Sequence, residues 1–232
     1  KKDSSPLTKA DLAANRLITH NLSSINKNIP ILSEESLVDW NKRKTWTKYW
    51  LVDPLDGTKE FIKKNGEFTV NIALIENNKP VIGIIYLPAK SLLYYAKQNN
   101  GSFRINTIDR LESLNQAQNI KVKKNPEGDK VRIIGSRSHS NGKTKEWILN
   151  NFNSYTKVIS GSSLKFCKIA EGKADIYPRF GPTSEWDIAA GHIILKEAGG
   201  KLLTLDNKEI LYNTKDNLIN PEFIASNNLI KI

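Results

Sequence analysis

The segment Asp53-Pro54-Leu55-Asp56-Gly57-Thr58 carries two carboxylates three residues apart, on a loop leaving the apolar stretch Tyr49 to Val52. Carboxylates so placed can reach adjacent metal ions, while Pro54 stiffens the loop and Gly57 lets backbone come close to a ligand. The residues that follow read as a short helix, Lys59 to Lys63, whose free amides and positive dipole end suit a phosphate. Taken alone, this string is also ordinary turn chemistry. Glu34-Glu35 end another short strand, Ile29 to Leu32, a usual position for active groups in layered folds; alone they are a solvated acidic pair. Trp186-Asp187 open an apolar helix, where an aspartate is a natural cap. The combination points further, because hard divalent ions such as magnesium want several carboxylates converging from different segments.

The elements that must position these groups change rhythm along the chain. Thr8 followed by Asp11 reads as a helix start with Leu12, Ile18 and Leu22 behind it. Phe68 to Ile75 and Val81 to Leu87 alternate as paired strands around Asn77-Asn78, and Leu92 to Ala96 with Ser102 to Ile105 form a second hairpin around Asn100-Gly101. After about residue 130, strands at Val131 to Ile134, Lys157 to Ile159, Ala174 to Tyr177 and Lys201 to Thr204 alternate with helices near 143–152, 162–171 and 187–198. The last of these helices stops at Gly199-Gly200. This predicts a mixed α/β (α+β) chain with an N-terminal α+β part over 1–130, carrying the metal loop, and a C-terminal α/β part over 131–232.

Composition removes several classes of function. With 232 residues, 39% hydrophobic, the chain can bury a real core. No apolar run approaches a membrane span and Lys1 to Pro6 are too polar for a signal peptide, so the expectation is a soluble, cytoplasmic protein. The single cysteine, Cys167, sits among apolar residues and reads as structural rather than nucleophilic. His20, His139 and His192 are too scattered for a zinc site, so any metal must be held mainly by oxygen. The net charge of +11 raises nucleic acid as a partner. The basic residues are spread rather than striped, however, and no helix-turn-helix, zinc finger or RNA-binding aromatic signature accompanies them, so no nucleic-acid partner is expected.

The string Trp50-Leu51-Val52-Asp53-Pro54-Leu55-Asp56-Gly57-Thr58-Lys59-Glu60-Phe61, with Glu34-Glu35 upstream and Trp186-Asp187-Ile188-Ala189-Ala190 downstream, resembles the lithium-sensitive phosphatases of the inositol monophosphatase superfamily. Thr58-Lys59-Glu60-Phe61 after the glycine is similar to the CysQ-type 3′(2′),5′-bisphosphate nucleotidases, where inositol phosphatases usually carry Thr-Asn-Phe. Gly66 to Leu74, Ser136-Arg137-Ser138-His139, Gly161 to Cys167 and Tyr177-Pro178-Arg179-Phe180-Gly181-Pro182 fit the same branch. The resemblance runs from about Ser5 to Phe223 and implies a layered αβαβα sandwich of the sugar phosphatase type. The family usually carries a further helix ahead of Ser5, of which only Lys1 to Ser4 are present, and the expectation is that it is missing from this sequence.

Carried over residue by residue, the resemblance implies Glu34, Asp53, Asp56, Asp187 and the Leu55 carbonyl as ligands of two or three Mg2+ ions. Asp11, acting through the Thr58 hydroxyl, and Glu34 are implied to serve catalysis. The Gly57 and Thr58 amides are implied to hold the scissile phosphate. His139, Ser162, Lys165 and Arg179 match positions that contact the nucleotide and its second phosphate, beside Glu34, Leu55, Asp56 and Asp187. The implied reaction is hydrolysis of the 3′-phosphate of 3′-phosphoadenosine 5′-phosphate, and of its phosphosulfate parent, by metal-activated water, with lithium inhibition and no phosphoenzyme. Inositol monophosphate or a sugar bisphosphate is the alternative substrate, and a non-enzymatic nucleic-acid binder the remote one. The resemblance also implies peripheral attachment to the cytoplasmic face of the inner membrane; it leaves the oligomeric state open.

Overall fold

The Thr8 hydroxyl accepts hydrogen bonds from the Ala10 and Asp11 amides, and the Asp11 carboxylate accepts one from the Thr8 amide, so α1 (Lys9–Ile25) begins with a closed capping box. The computed structural model describes residues 8–106, 116–123, 130–136 and 142–229. After α1 come β1 (Ile31–Ser33), α2 (Trp40–Arg43), β2 (Lys48–Asp56), α3 (Thr58–Ile62), β3 (Thr69–Glu76), β4 (Lys79–Leu87), β5 (Leu92–Lys97), β6 (Ser102–Asn106) and β7 (Gln118–Ile120). The second half holds β8 (Val131–Gly135), α4 (Gly142–Asn151), β9 (Tyr155–Ile159), α5 (Leu164–Ala170), β10 (Ile176–Arg179), α6 (Glu185–Glu197), β11 (Lys201–Thr204) and β12 (Phe223–Ser226).

Strands β1 to β7 form one seven-stranded sheet in chain order, with β1 parallel to β2 and the later pairs antiparallel. The β3–β4 hairpin closes through Asn77 and Asn78, both at positive φ (48° and 63°), a turn whose twist matches that of its strands. The second sheet has five strands in the order β11-β12-β10-β8-β9.

Alternation along β2 assigns the layers. Tyr49 and Leu51 join the main core with Ala73, Ile75 and the α6 residues Ala190, Ile193 and Ile194. Trp50 and Val52 face the other way, into a smaller cluster with Leu22 and Ile18 of α1. Helix α6 lies so close to β4 that a Cβ on Gly83 would sit 2.4 Å from Ile193 Cγ2 and 2.6 Å from the Ala190 carbonyl oxygen. Phe166 of α5 packs on Tyr177 of β10 and Phe223 of β12, so α5 and α6 fill the space between the sheets. On the far side of the small sheet, Thr144, Lys145 and Ile148 of α4 face Ile133, Tyr155 and Pro178 across a gap of about 320 Å³. The order of layers is α1, large sheet, α5 with α6, small sheet, α4. This is the αβαβα arrangement that the resemblance implies.

Several elements differ from the sequence reading. Strand β2 continues past Val52 to Asp56, the strand expected at 174–177 is shifted to Ile176–Arg179, and α6 starts at Glu185 rather than 187. Helix α2 and strands β7 and β12 were not expected; each is three or four residues long and owes its state to its neighbours. β12 lies between β10 and β11, antiparallel to both. Cys167 is buried, and burial pushes its thiol well above the usual range, in keeping with a packing role. His192 is buried against the Tyr212 hydroxyl at 3.0 Å, and burial lowers it to about 4, leaving it neutral and structural. No described helix is long and apolar enough to cross a membrane.

Candidate active site

Two aspartates three residues apart on a flat strand would point to opposite faces, because side chains alternate with period two. The register of β2 against β3 removes that problem. Asp53 pairs with Asn71 and Asp56 with Thr69, so three steps on β2 oppose two on β3. The extra residue is a β-bulge at Pro54-Leu55, and it brings both carboxylates to the inner face that Tyr49 and Leu51 also occupy. Asp53 Oδ1 accepts from the Leu55 amide at 3.0 Å, which fixes the bulge locally. Glu34 follows β1, and its amide donates to the Val52 carbonyl at 3.1 Å, setting it beside Asp53.

The fourth carboxylate comes from the layer above. Asp187 is the third residue of α6, and its Oδ2 accepts from the Ser184 amide at 2.7 Å in a capping box. Capping uses one oxygen and leaves the other for the cleft, so the cap and a ligand role are compatible. Asp53, Asp56 and Asp187 each offer an oxygen lying within 4.8 Å of the others. Burial raises the pKa of all three, and mutual repulsion adds to it for Asp53 (from Asp56, Glu34 and Asp187) and for Asp187 (from Asp56 and Glu34). A partly buried, self-repelling, all-oxygen donor set fits a hard divalent cation, which would offset that repulsion.

Asp56 is held from two sides. Its Oδ2 accepts from the Ser163 amide at 2.6 Å and lies 3.4 Å from Asn71 Nδ2, while the Ser163 hydroxyl bonds Asn71 Oδ1 at 2.7 Å. The Ser162 hydroxyl lies 2.9 Å from the Asp56 carbonyl oxygen and 2.8 Å from that of Glu67, and can donate to one at a time. Ser163 and Asn71 were not singled out in the sequence. An asparagine inside the apolar run Val70-Asn71-Ile72-Ala73-Leu74 was the available signal, since a buried amide needs partners.

The cleft around these groups has a volume of about 490 Å³ and is lined by Glu34, Asp53, Leu55, Asp56, Gly57, Thr58, Ser162, Lys165, Arg179 and Asp187, among others. Asp11 stands behind it: the Thr58 hydroxyl donates to Asp11 Oδ1 at 3.5 Å, while Asp11 Oδ2 serves the α1 cap. Lys165 is buried, its Nζ donating to the Ser162 carbonyl at 2.6 Å and lying 5.2 Å from the Tyr177 ring centre. Burial lowers its pKa to about 8, against the opposing pull of Asp56. Arg179 Nη2 donates to the Pro182 carbonyl at 2.9 Å, and its buried Nε has no hydrogen-bond partner among the described residues. The structure thus brings every expected site residue to one cleft or to its back wall, except His139, which lies outside the described residues.

Known proteins of similar sequence identify the family. The model of the inositol monophosphatase family matches residues 1–231. The chain is 44% identical over 223 residues to the 3′(2′),5′-bisphosphate nucleotidase CysQ of Salmonella typhimurium, covering 96% of this chain and 86% of that one. It is 42% identical to the CysQ of Escherichia coli K12 over 226 residues, covering 97% of this chain and 87% of that one. The crystal structure of CysQ from Bacteroides thetaiotaomicron superposes with a TM-score of 0.87 at 42% identity, covering 97% of this chain and 85% of that one. The chain belongs to the inositol monophosphatase family, and within it to the CysQ-type branch.

Proposed function

We propose that the chain is a magnesium-dependent phosphatase that removes the 3′-phosphate of 3′-phosphoadenosine 5′-phosphate, giving AMP and phosphate, with the phosphosulfate parent as a second substrate. The observation that carries the reading is that one cleft is lined both by the carboxylates Glu34, Asp53, Asp56 and Asp187 and by the cations Lys165 and Arg179. A phosphate against the carboxylates needs cations between itself and the protein, whereas a second phosphate is met directly by fixed positive charge. A substrate with two phosphates uses both kinds of group. The nucleotide class is supported by the curated names of relatives at 42–44% identity.

Phosphoryl transfer to water asks the protein for positioning and charge neutralisation more than for covalent chemistry. Magnesium held by the four carboxylates and the Leu55 carbonyl would neutralise the phosphoryl oxygens and make a neighbouring water more acidic. Thr58 Oγ1 orients that water, and its own proton is directed to Asp11 Oδ1. The 3.5 Å contact is of the length that tightens when substrate fills a site. The water oxygen bonds to phosphorus as the ester bond to the ribose 3′ oxygen breaks, and that oxygen takes up a proton from solvent water. The Gly57 and Thr58 amides serve the transferring phosphate, and the Arg179 guanidinium, which lines the cleft, holds the distal one.

Inositol monophosphate and fructose 1,6-bisphosphate remain the competing substrates of the same family. Phosphate release from the three substrates at saturating magnesium separates them. The bisphosphonucleotide is expected to exceed the others in kcat/KM by at least roughly tenfold, the worth of one charge-assisted contact. Lys165→Met is expected to remove most of that advantage. An equal or higher kcat/KM for either rival would overturn the nucleotide reading and leave the phosphatase reading standing.

A further inference from the structure

Arg43 is the last residue of α2, in the run Trp40-Asn41-Lys42-Arg43-Lys44, which reads as exposed surface charge, yet its side chain is 2% exposed. It lies over the Trp40 ring at 4.8 Å and spends its donors on main chain and on an amide rather than on a buried acid. Nε donates to the Val38 carbonyl at 3.2 Å, and Nη1 to Asn213 Oδ1 at 2.6 Å and to the Lys215 carbonyl at 3.2 Å. Nη2 donates to the Asp216 carbonyl, while the Asp216 carboxylate, 3.7 Å away, is largely exposed. Asn213 answers by donating from Nδ2 to the Arg43 carbonyl at 2.6 Å. Burying a guanidinium carries a desolvation cost, which these hydrogen bonds and the Trp40 ring offset.

The 213–220 segment that Arg43 grips is the cradle of the α6 N-terminus. The Asn213 amide donates to both Glu185 carboxylate oxygens at 3.0 and 2.9 Å, and the Glu185 amide donates to the Leu218 carbonyl at 2.8 Å. Asn220 donates from its side chain to Thr183 Oγ1 at 3.1 Å and to the Ser184 carbonyl at 2.6 Å. Ser184 is the residue whose amide holds Asp187. These contacts fix the first turn of α6, and with it the carboxylate that lies near Asp53 and Asp56.

We infer that Arg43, Asn213 and Glu185 are positioning residues of the metal site, forming a clamp that presents Asp187 to Asp53 and Asp56. None of the three touches the reacting groups; they act through the first turn of α6. The inference rests on the metal reading above. Arg43→Lys keeps the charge but lacks the planar fork. Asn213→Gly keeps the backbone, which has φ of 53°, and the amide bond to Glu185 while removing the side-chain contacts with Arg43.

The test is direct binding of Mn2+ followed by electron paramagnetic resonance, beside the magnesium concentration for half-maximal activity and kcat at saturating magnesium. Both variants are expected to weaken Mn2+ binding and raise the magnesium requirement in parallel, by roughly 10–100-fold, with kcat largely recovered at saturation. A lowered melting temperature with Mn2+ affinity unchanged in both variants would overturn the inference. If Arg43→Lys does not fold, Asn213→Gly carries the same test alone. A wild-type protein that binds no Mn2+ would overturn the metal reading itself and the clamp with it.

Discussion

Asp53→Asn is expected to lower phosphate release by roughly 10³-fold or more, the scale of losing a principal charge-stabilising contact, while raising the melting temperature of the metal-free protein. The two effects share one cause. Asp53 is buried, held at 3.0 Å by the Leu55 amide, and pushed up first by burial and then by Asp56, Glu34 and Asp187. Asparagine has the same shape and keeps an oxygen for that amide, so the bulge at Pro54-Leu55 persists. It removes a carboxylate whose burial is unfavourable whether it is ionised beside its neighbours or neutralised. Relief of about 1–2 kcal/mol corresponds to about 2–8 °C for a chain of this size. Thermal unfolding in chelator and turnover in saturating magnesium measure the two sides. Turnover near wild type would remove Asp53 from the metal role, and a lowered metal-free melting temperature would contradict the electrostatic account.

Gly57→Ala is expected to cut kcat by roughly 10²-fold, the cost of misplacing a catalytic loop by about an ångström. Gly57 has φ of 87°, where a Cβ is strained, and that Cβ would lie 2.2 Å from Ser162 Oγ and 3.3 Å from Glu60 Oε2. Ser162 must then turn away from the Asp56 and Glu67 carbonyls, releasing the clamp that keeps the loop beside the Ser163 amide. Stability should fall by about 1–2 kcal/mol from the left-handed backbone alone. Because the damage passes through one contact, Gly57→Ala placed on Ser162→Ala should cost less than the sum of the two single changes. Additive losses in kcat would show that the glycine acts on the loop by another route.

The sequence shows the acidic groups but not how they meet. Asp53 and Asp56 are evident as a pair, yet their spacing on a strand argues for opposite faces. The bulge that unites them is decided by pairing with Thr69 and Asn71, which local pattern does not encode. Asp11 reads as a cap and is one; its second oxygen reaches Thr58 only because α1 packs on the outer face of β2. Asp187 likewise closes a capping box and still opens onto the cleft. Arg43 was illegible because a basic run beside exposed lysines carries no mark of burial, and its partners lie at Asn213 to Asp216. Strand β12 is too short to show a period and exists because β10 and β11 leave a place between them. The hairpins, the long helices and the Gly199 stop were legible, since turn and cap chemistry is local.

The central claim is that Glu34, Asp53, Asp56 and Asp187 together hold divalent cations. A crystal soaked in Mn2+ and measured at the manganese absorption edge reports it directly. Anomalous peaks in contact with Asp53, Asp56, Asp187 and Glu34 are the expected result. Peaks confined to other parts of the surface, with those four carboxylates turned away from one another, would contradict the account.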